Sequence, residues 1–112
     1  MASQTKEVDI LQGTLKMMIL QALQQGPANG YEIAKYIERR SDELLQVEHG
    51  SLYPALRRLE SNELIQAEWR ISGTNRRARY YSLTRAGKKQ AAIEHSRWKT
   101  LVQAITRVMR PV

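Results

Sequence analysis

His49-Gly50-Ser51-Leu52-Tyr53-Pro54-Ala55-Leu56-Arg57-Arg58-Leu59-Glu60-Ser61, followed almost at once by Leu64-Ile65-Gln66-Ala67-Glu68-Trp69-Arg70-Ile71, is the stretch that decides the fold. In its first part Leu52, Ala55, Leu56 and Leu59 recur at steps of three and four, which is one face of a helix. Ser51, Pro54, Arg58 and Ser61 then lie on the opposite face, with His49 and Arg57 flanking them. A proline inside a helix is tolerated in the first turn, where the amide it lacks would be unpaired anyway, so Pro54 implies a helix start close before it. In the second part Ile65, Ala67, Trp69 and Ile71 recur with period two, the pattern of a strand with one buried side. Ser72-Gly73-Thr74-Asn75 supplies turn chemistry. Arg79-Tyr80-Tyr81-Ser82-Leu83 is then a second strand returning beside the first.

Upstream, Asn29-Gly30-Tyr31-Glu32 reads as a capping box, in which the first side chain takes an orphan amide and the fourth reaches back. It opens a helix to about Arg40 with Ile33, Ala34 and Ile37 inward. Residues 41–47 form a connector that Leu44, Leu45 and Val47 anchor to the core. Asp9-Ile10-Leu11-Gln12 is another capping box, and Leu11, Leu15, Met18, Ile19, Ala22 and Leu23 follow at helical spacing. Ile10, Met17 and Leu20 lie partly off that face, so this helix is expected to bury a second side against another subunit. Gln25-Gly26-Pro27 stops it. Downstream, Thr84-Arg85-Ala86-Gly87 begins a long helix ending before Pro111. Ala91, Trp98, Leu101, Val102, Ile105, Val108 and Met109 make a heptad-like stripe along it, too far from the body to be covered by its own chain. The implied fold is α+β, mainly α: a winged helix-turn-helix with a long C-terminal dimerisation helix. Residues 1–8 form a tail, 9–83 the winged helix and 84–112 the dimerisation helix.

The chain has 112 residues, 42% of them hydrophobic, with a formal charge of +7 and no cysteine. That length supports one modest core. Without cysteine there is no disulfide, thiol nucleophile or Cys-type zinc site, which is compatible with the cytoplasm. No apolar run approaches the roughly 20 residues of a membrane span. The charge is uneven: residues 1–69 carry 7 basic and 10 acidic residues, and residues 70–112 carry 11 basic and 1 acidic. Between Arg70 and Lys89 there are seven cations and no carboxylate. A surface of one sign concentrates polyanions. His49 and His95 stand alone, with no carboxylate at metal-ligand spacing, and no phosphate loop or nucleophile elbow is visible. No metal, cofactor or enzymatic activity is expected.

A helix-turn-helix lays its second helix in the major groove, where all four base pairs are distinguishable. His49, Ser51, Tyr53, Pro54, Arg57 and Arg58 are therefore the candidate contacts of that helix with double-stranded DNA. Gly30 and Tyr31 open the preceding helix, whose N-terminal amides suit a phosphate. Arg76, Arg77 and Arg79 place guanidinium groups where a wing straddles the backbone or enters the minor groove.

The runs Leu11-Gln12-Gly13-Thr14-Leu15, Gly26-Pro27-Ala28-Asn29-Gly30-Tyr31-Glu32-Ile33, residues 50–60 and Arg76-Arg77-Ala78-Arg79-Tyr80-Tyr81-Ser82-Leu83-Thr84-Arg85-Ala86-Gly87 resemble PadR-type transcriptional regulators. The resemblance covers about residues 8–100 and includes the highly specific block Gly50-Ser51-Leu52-Tyr53-Pro54-Ala55-Leu56. It implies a homodimeric prokaryotic regulator, usually a repressor, with the first and last helices forming the dimer contact and a single short C-terminal helix. It also implies a phosphate contact for the Tyr53 hydroxyl. Where the family usually has glycine this chain has Glu63, so Asn62 is expected to take the left-handed conformation there. Ile10, Met17, Leu20, Trp98, Leu101, Val102, Ile105, Val108 and Met109 are the candidate dimer contacts. Trp98 could instead line a cavity for a flat aromatic effector, as in multidrug-binding relatives. Two other readings fit the same features: a protein–protein adaptor built on a winged helix, and a non-specific architectural nucleic-acid-binding protein.

Overall fold

A computed structural model describes residues 12–71, 73 and 75–112. The capping box at Asp9–Gln12, the tail 1–8, Ile10, Leu11, and Ser72 and Thr74 of the turn lie outside the described residues or depend on ones that do. The elements run α1 (Gln12–Leu23), β1 (Ala28–Asn29), α2 (Gly30–Arg40), α3 (His49–Ser61), β2 (Ile65–Ile71), β3 (Arg77–Leu83) and α4 (Arg85–Val108).

Helix α1 is the centre of the molecule and packs against α2, α3, α4 and β3. Leu15, Ile19, Ala22 and Leu23 are buried, and Met18 packs partly buried against them. Leu20 is fully buried too, at 0% exposure. The expectation that Leu20 serves a second subunit is therefore corrected: neighbours on several sides of α1 cover it within its own chain. The helix stops as Gly26 turns through a φ of +126°, a conformation that glycine adopts without a Cβ penalty.

The Asn29 box forms: Glu32 N donates to Asn29 Oδ1 at 2.8 Å, and Asn29 N donates to Glu32 Oε1 at 3.0 Å. Ile33, Ala34 and Ile37 of α2 meet Leu52, Ala55, Leu56 and Leu59 of α3 in one core. Of the connector, Leu45 and Val47 pack against that core, but Leu44 is exposed and anchors nothing. The connector is instead held by polar contacts. Leu45 N donates to Ser41 Oγ at 3.1 Å, and Val47 N donates to Glu38 Oε2 at 3.0 Å.

The antiparallel sheet has the order β1-β3-β2, with Ala28 opposite Tyr81 and Ile65 opposite Leu83. Two-residue β1 has no periodicity to read, which is why it is not visible in the sequence. The expected buried side of β2 holds only for Ile65 and Ala67. Trp69 and Ile71 are exposed because the hairpin outruns the core.

At the end of α3, Glu63 N donates to the Glu60 carbonyl at 3.0 Å and Leu64 N to the Leu59 carbonyl at 3.0 Å. This is a Schellman termination, whose left-handed position favours glycine. Glu63 occupies it with a φ of 61°, whereas Asn62 keeps a φ of −85°, so the expectation for Asn62 is corrected. A side chain in the left-handed region costs about 1–2 kcal/mol. Glu63→Gly is therefore expected to raise stability by about 1 kcal/mol, seen as a higher urea midpoint at unchanged slope. Asn62→Gly, at an ordinary φ, is expected to lower it.

Candidate nucleic-acid interface

Helix α3 begins at His49 without a side-chain cap; Ser51 N and Leu52 N donate to the Glu48 carbonyl at 3.0 and 2.9 Å. Pro54 is thus the sixth helical residue and lies in the second turn, not the first as its chemistry suggested. The bond it forgoes is one to the Gly50 carbonyl, at the exposed leading end of the helix where water can serve that oxygen. The face opposite the buried leucines carries exposed His49, Tyr53, Arg57 and Arg58, with Ser51 and Pro54 half-buried.

Tyr53 links the two helices of the motif. Its ring meets His49 edge-on, with centroids 5.7 Å apart. It also lies over Gly30 so closely that a Cβ there would sit 2.5 Å from the Tyr53 hydroxyl oxygen. Gly30 is buried, and what it supplies is room for that ring rather than an open surface. The Tyr53 hydroxyl consequently stands against Gly30 at the beginning of α2, whose next two residues, Tyr31 and Glu32, are exposed.

The wing is tied to the far end of the same helix. Arg79 Nη2 donates to Glu60 Oε2 at 2.8 Å, so Arg79, read from the sequence as a wing contact with DNA, has a carboxylate partner within its own chain. Arg70 pairs with Glu68 at 2.6 Å and lies 5.2 Å from the Tyr80 ring centre. Arg77 lies 4.8 Å from the centre of the Trp69 ring. Among the described residues Arg57, Arg58, Arg76 and Arg77 make no ion pair. Glu94, the single carboxylate after residue 69, is taken up by Lys16 at 3.6 Å and Gln90 at 2.8 Å. Tyr81 packs into the core behind this face, and burial raises its hydroxyl above the ordinary pKa of 10.0, so it stays protonated. The sequence reading missed the Trp69–Arg77 and Glu60–Arg79 pairs, because each joins residues on different elements or strands.

Away from this face, α4 buries only Gly87 and Ala91. Trp98, Leu101, Val102, Ile105, Val108 and Met109 are all exposed along it, and Ile93 joins them. Trp98 and half-buried Met17 border a groove of about 360 Å³ together with Met18, Tyr36, Arg40 and His95. The Tyr36 hydroxyl is buried without a hydrogen-bond partner. No described helix is long and apolar enough to cross a membrane, and no three metal-ligating side chains gather among the described residues.

Residues 19–93 match the model of the transcriptional regulator PadR-like family. The negative transcriptional regulator PadR of Bacillus subtilis (strain 168) is 32% identical over 76 residues, covering 68% of this chain and 42% of that protein. A transcriptional regulator structure from Clostridium thermocellum superposes with a TM-score of 0.82 at 31% identity, over 91% of this chain and 99% of that one. Bacillus subtilis PadR in complex with operator DNA superposes with a TM-score of 0.62 at 31% identity, covering 70% of this chain and 44% of that one. The chain thus spans under half of the Bacillus regulator but nearly all of the Clostridium one. The likeness runs through the helix pair, the hairpin and the start of α4, and it accounts for a helix pair followed by a cationic hairpin: the chain belongs to the PadR-like family of transcriptional regulators.

Proposed function

We propose that this chain is a sequence-specific DNA-binding repressor that meets an inverted-repeat operator as a homodimer and is released by a small aromatic effector. The observation that carries the reading is the outward face of α3, on which Tyr53, Arg57 and Arg58 are exposed together while Glu60 holds the wing alongside through Arg79. Arginine reads guanine edges bidentately and binds phosphate, so this face has the chemistry of groove recognition. The operator-bound state of a neighbouring structure and the negative regulation named for a relative support DNA as partner and repression as outcome.

Dimerisation is supported by the apolar stripe of α4, which its own chain leaves uncovered from Trp98 onward. A two-fold axis through such a seam would set two α3 helices about 34 Å apart, one turn of the duplex. The effector is supported by the groove beside Trp98, where apolar walls and the Arg40 cation suit a flat anionic ring. This groove borders the C-terminal end of α2 and the connector residue Leu45, so occupancy would bear on how α3 is presented.

Selection of bound sequences from a random duplex pool tests the reading. The expected result is an enriched palindrome, a steep fall of affinity with salt, and a specificity ratio of about 10³ or more over random DNA. Arg57→Ala with Arg58→Ala is expected to remove most of that ratio. Weak, salt-insensitive association untouched by these changes would point to a protein adaptor. A steep salt dependence with no enriched sequence would point to an architectural protein.

A further inference from the structure

We infer that Trp69 and Arg77 together read the DNA minor groove, favouring base pairs that lack the guanine amino group; the inference rests on the DNA-binding reading above. The strand period puts Ile65, Ala67, Trp69 and Ile71 on one side of β2, and the core covers only the first two. Trp69 is 58% exposed and Ile71 65% exposed. Directly opposed residues of antiparallel strands share a face. Arg79, opposite Trp69, and Arg77, opposite Ile71, therefore stand on that same side. Arg79 reaches Glu60 on α3, so this side of the hairpin is turned toward the helix that carries Arg57 and Arg58. An indole in water at the end of a wing needs a reason, and its companion supplies one: the Arg77 guanidinium lies 4.8 Å from the indole centre.

Charge selects the occupant of this apolar, cationic face. On this side the two strands carry Arg77 and Arg79 and no carboxylate, which suits a polyanion and disfavours a second copy of the same wing. Within a duplex, the narrow minor groove of A·T-rich DNA has the most negative potential and attracts inserted arginine. Its floor carries only acceptors, whereas a G·C pair adds the guanine amino donor that blocks a guanidinium. The Arg77 guanidinium lies over the Trp69 ring, which limits its directions and leaves its other side to enter the groove. The indole itself meets the sugar walls, as apolar side chains do in minor-groove proteins. Arg77 is the reading group and Trp69 its positioning residue.

The test uses the full chain and three duplexes of about 30 base pairs, alternating A·T, inosine·C and G·C; inosine·C offers the major groove of G·C with the minor-groove floor of A·T. Wild type is expected to bind the A·T and inosine·C duplexes about fivefold or more tighter than the G·C duplex at one salt concentration. Trp69→Ala and Arg77→Lys, the latter keeping the charge, are expected to bring the inosine·C to G·C ratio to about one, and Trp69→Phe to retain most of it. Arg57→Ala is expected to weaken binding to inosine·C and G·C alike and leave their ratio. Equal wild-type binding to inosine·C and G·C, or a ratio that survives Trp69→Ala, overturns the inference and leaves the DNA-binding reading standing. Failure to bind any duplex, the selected palindrome included, overturns both.

Discussion

Ile105→Asp is expected to yield a folded monomer whose operator affinity is lower by about 10²–10⁴-fold, the factor that a lost second attachment removes when linked sites bind together. The direction follows from where Ile105 stands. It is 49% exposed in its own chain, on a stretch of α4 from which no residue returns to the core, so the substitution leaves α1–α3 untouched. In a seam between two copies of α4, the same carboxylate would be buried without a partner, a change that a helix pair held by apolar contacts does not absorb. Light scattering gives the mass, circular dichroism the helix content, and a titration of the selected palindrome the affinity. A half-site duplex supplies the control: its affinity should be nearly unchanged. A variant that remains dimeric would move the seam away from α4.

Gly87→Ala is expected to cost about 3 kcal/mol of folding stability, although helix propensity alone favours alanine over glycine by about 1 kcal/mol. Gly87 lies in the first turn of α4, where its amide donates to Thr84 Oγ1 at 3.0 Å. Thr84 in turn donates from Oγ1 to the Glu63 carbonyl at 2.7 Å and from its amide to the Leu64 carbonyl at 3.1 Å. The end of α3 and the start of α4 are thus drawn together until the Leu64 carbonyl rests where a Cβ of residue 87 would be. A backbone oxygen cannot swing aside as a side chain can, so alanine would break either the Thr84 cap or the turn at Glu63. For a domain of this size, whose total stability is on the order of 5–15 kcal/mol, that is a large fraction. A urea melt showing Gly87→Ala as stable as wild type would mean that the junction is looser than its hydrogen bonds imply.

Local chemistry carried most of the fold into view from the sequence. The Asn29–Glu32 box, the inward face of α3 and the Thr84 start of α4 each depend on residues within a turn or two, and each forms where its pattern stands. Errors gathered where a pattern outlived its cause. The alternation of β2 continues to Ile71, but the core behind it ends at Ala67. Leu20 looked peripheral on a helical wheel that assumes one buried face, and α1 is surrounded on several. Leu44 is as apolar as Leu45, yet polar bonds from Ser41 and Glu38 set the connector's path. The choice between Asn62 and Glu63 for the left-handed position was made by residue preference, whereas the geometry of helix termination placed it one residue later. At the interface, the exposure of Arg57 and Arg58 follows from helical periodicity. The partnership of Arg79 with Glu60, 19 residues away, belongs to tertiary structure and left no trace in spacing.

That pairing gives ionic strength two points of action. Both side chains are partly open to solvent, so dissolved ions that screen phosphates also weaken the strut fixing the hairpin's angle to α3. A plot of log affinity against log salt would therefore overcount the cations that touch the duplex, by whatever share comes from a misaimed hairpin. Restoring the strut with an uncharged hydrogen-bonding pair would flatten the line by that share.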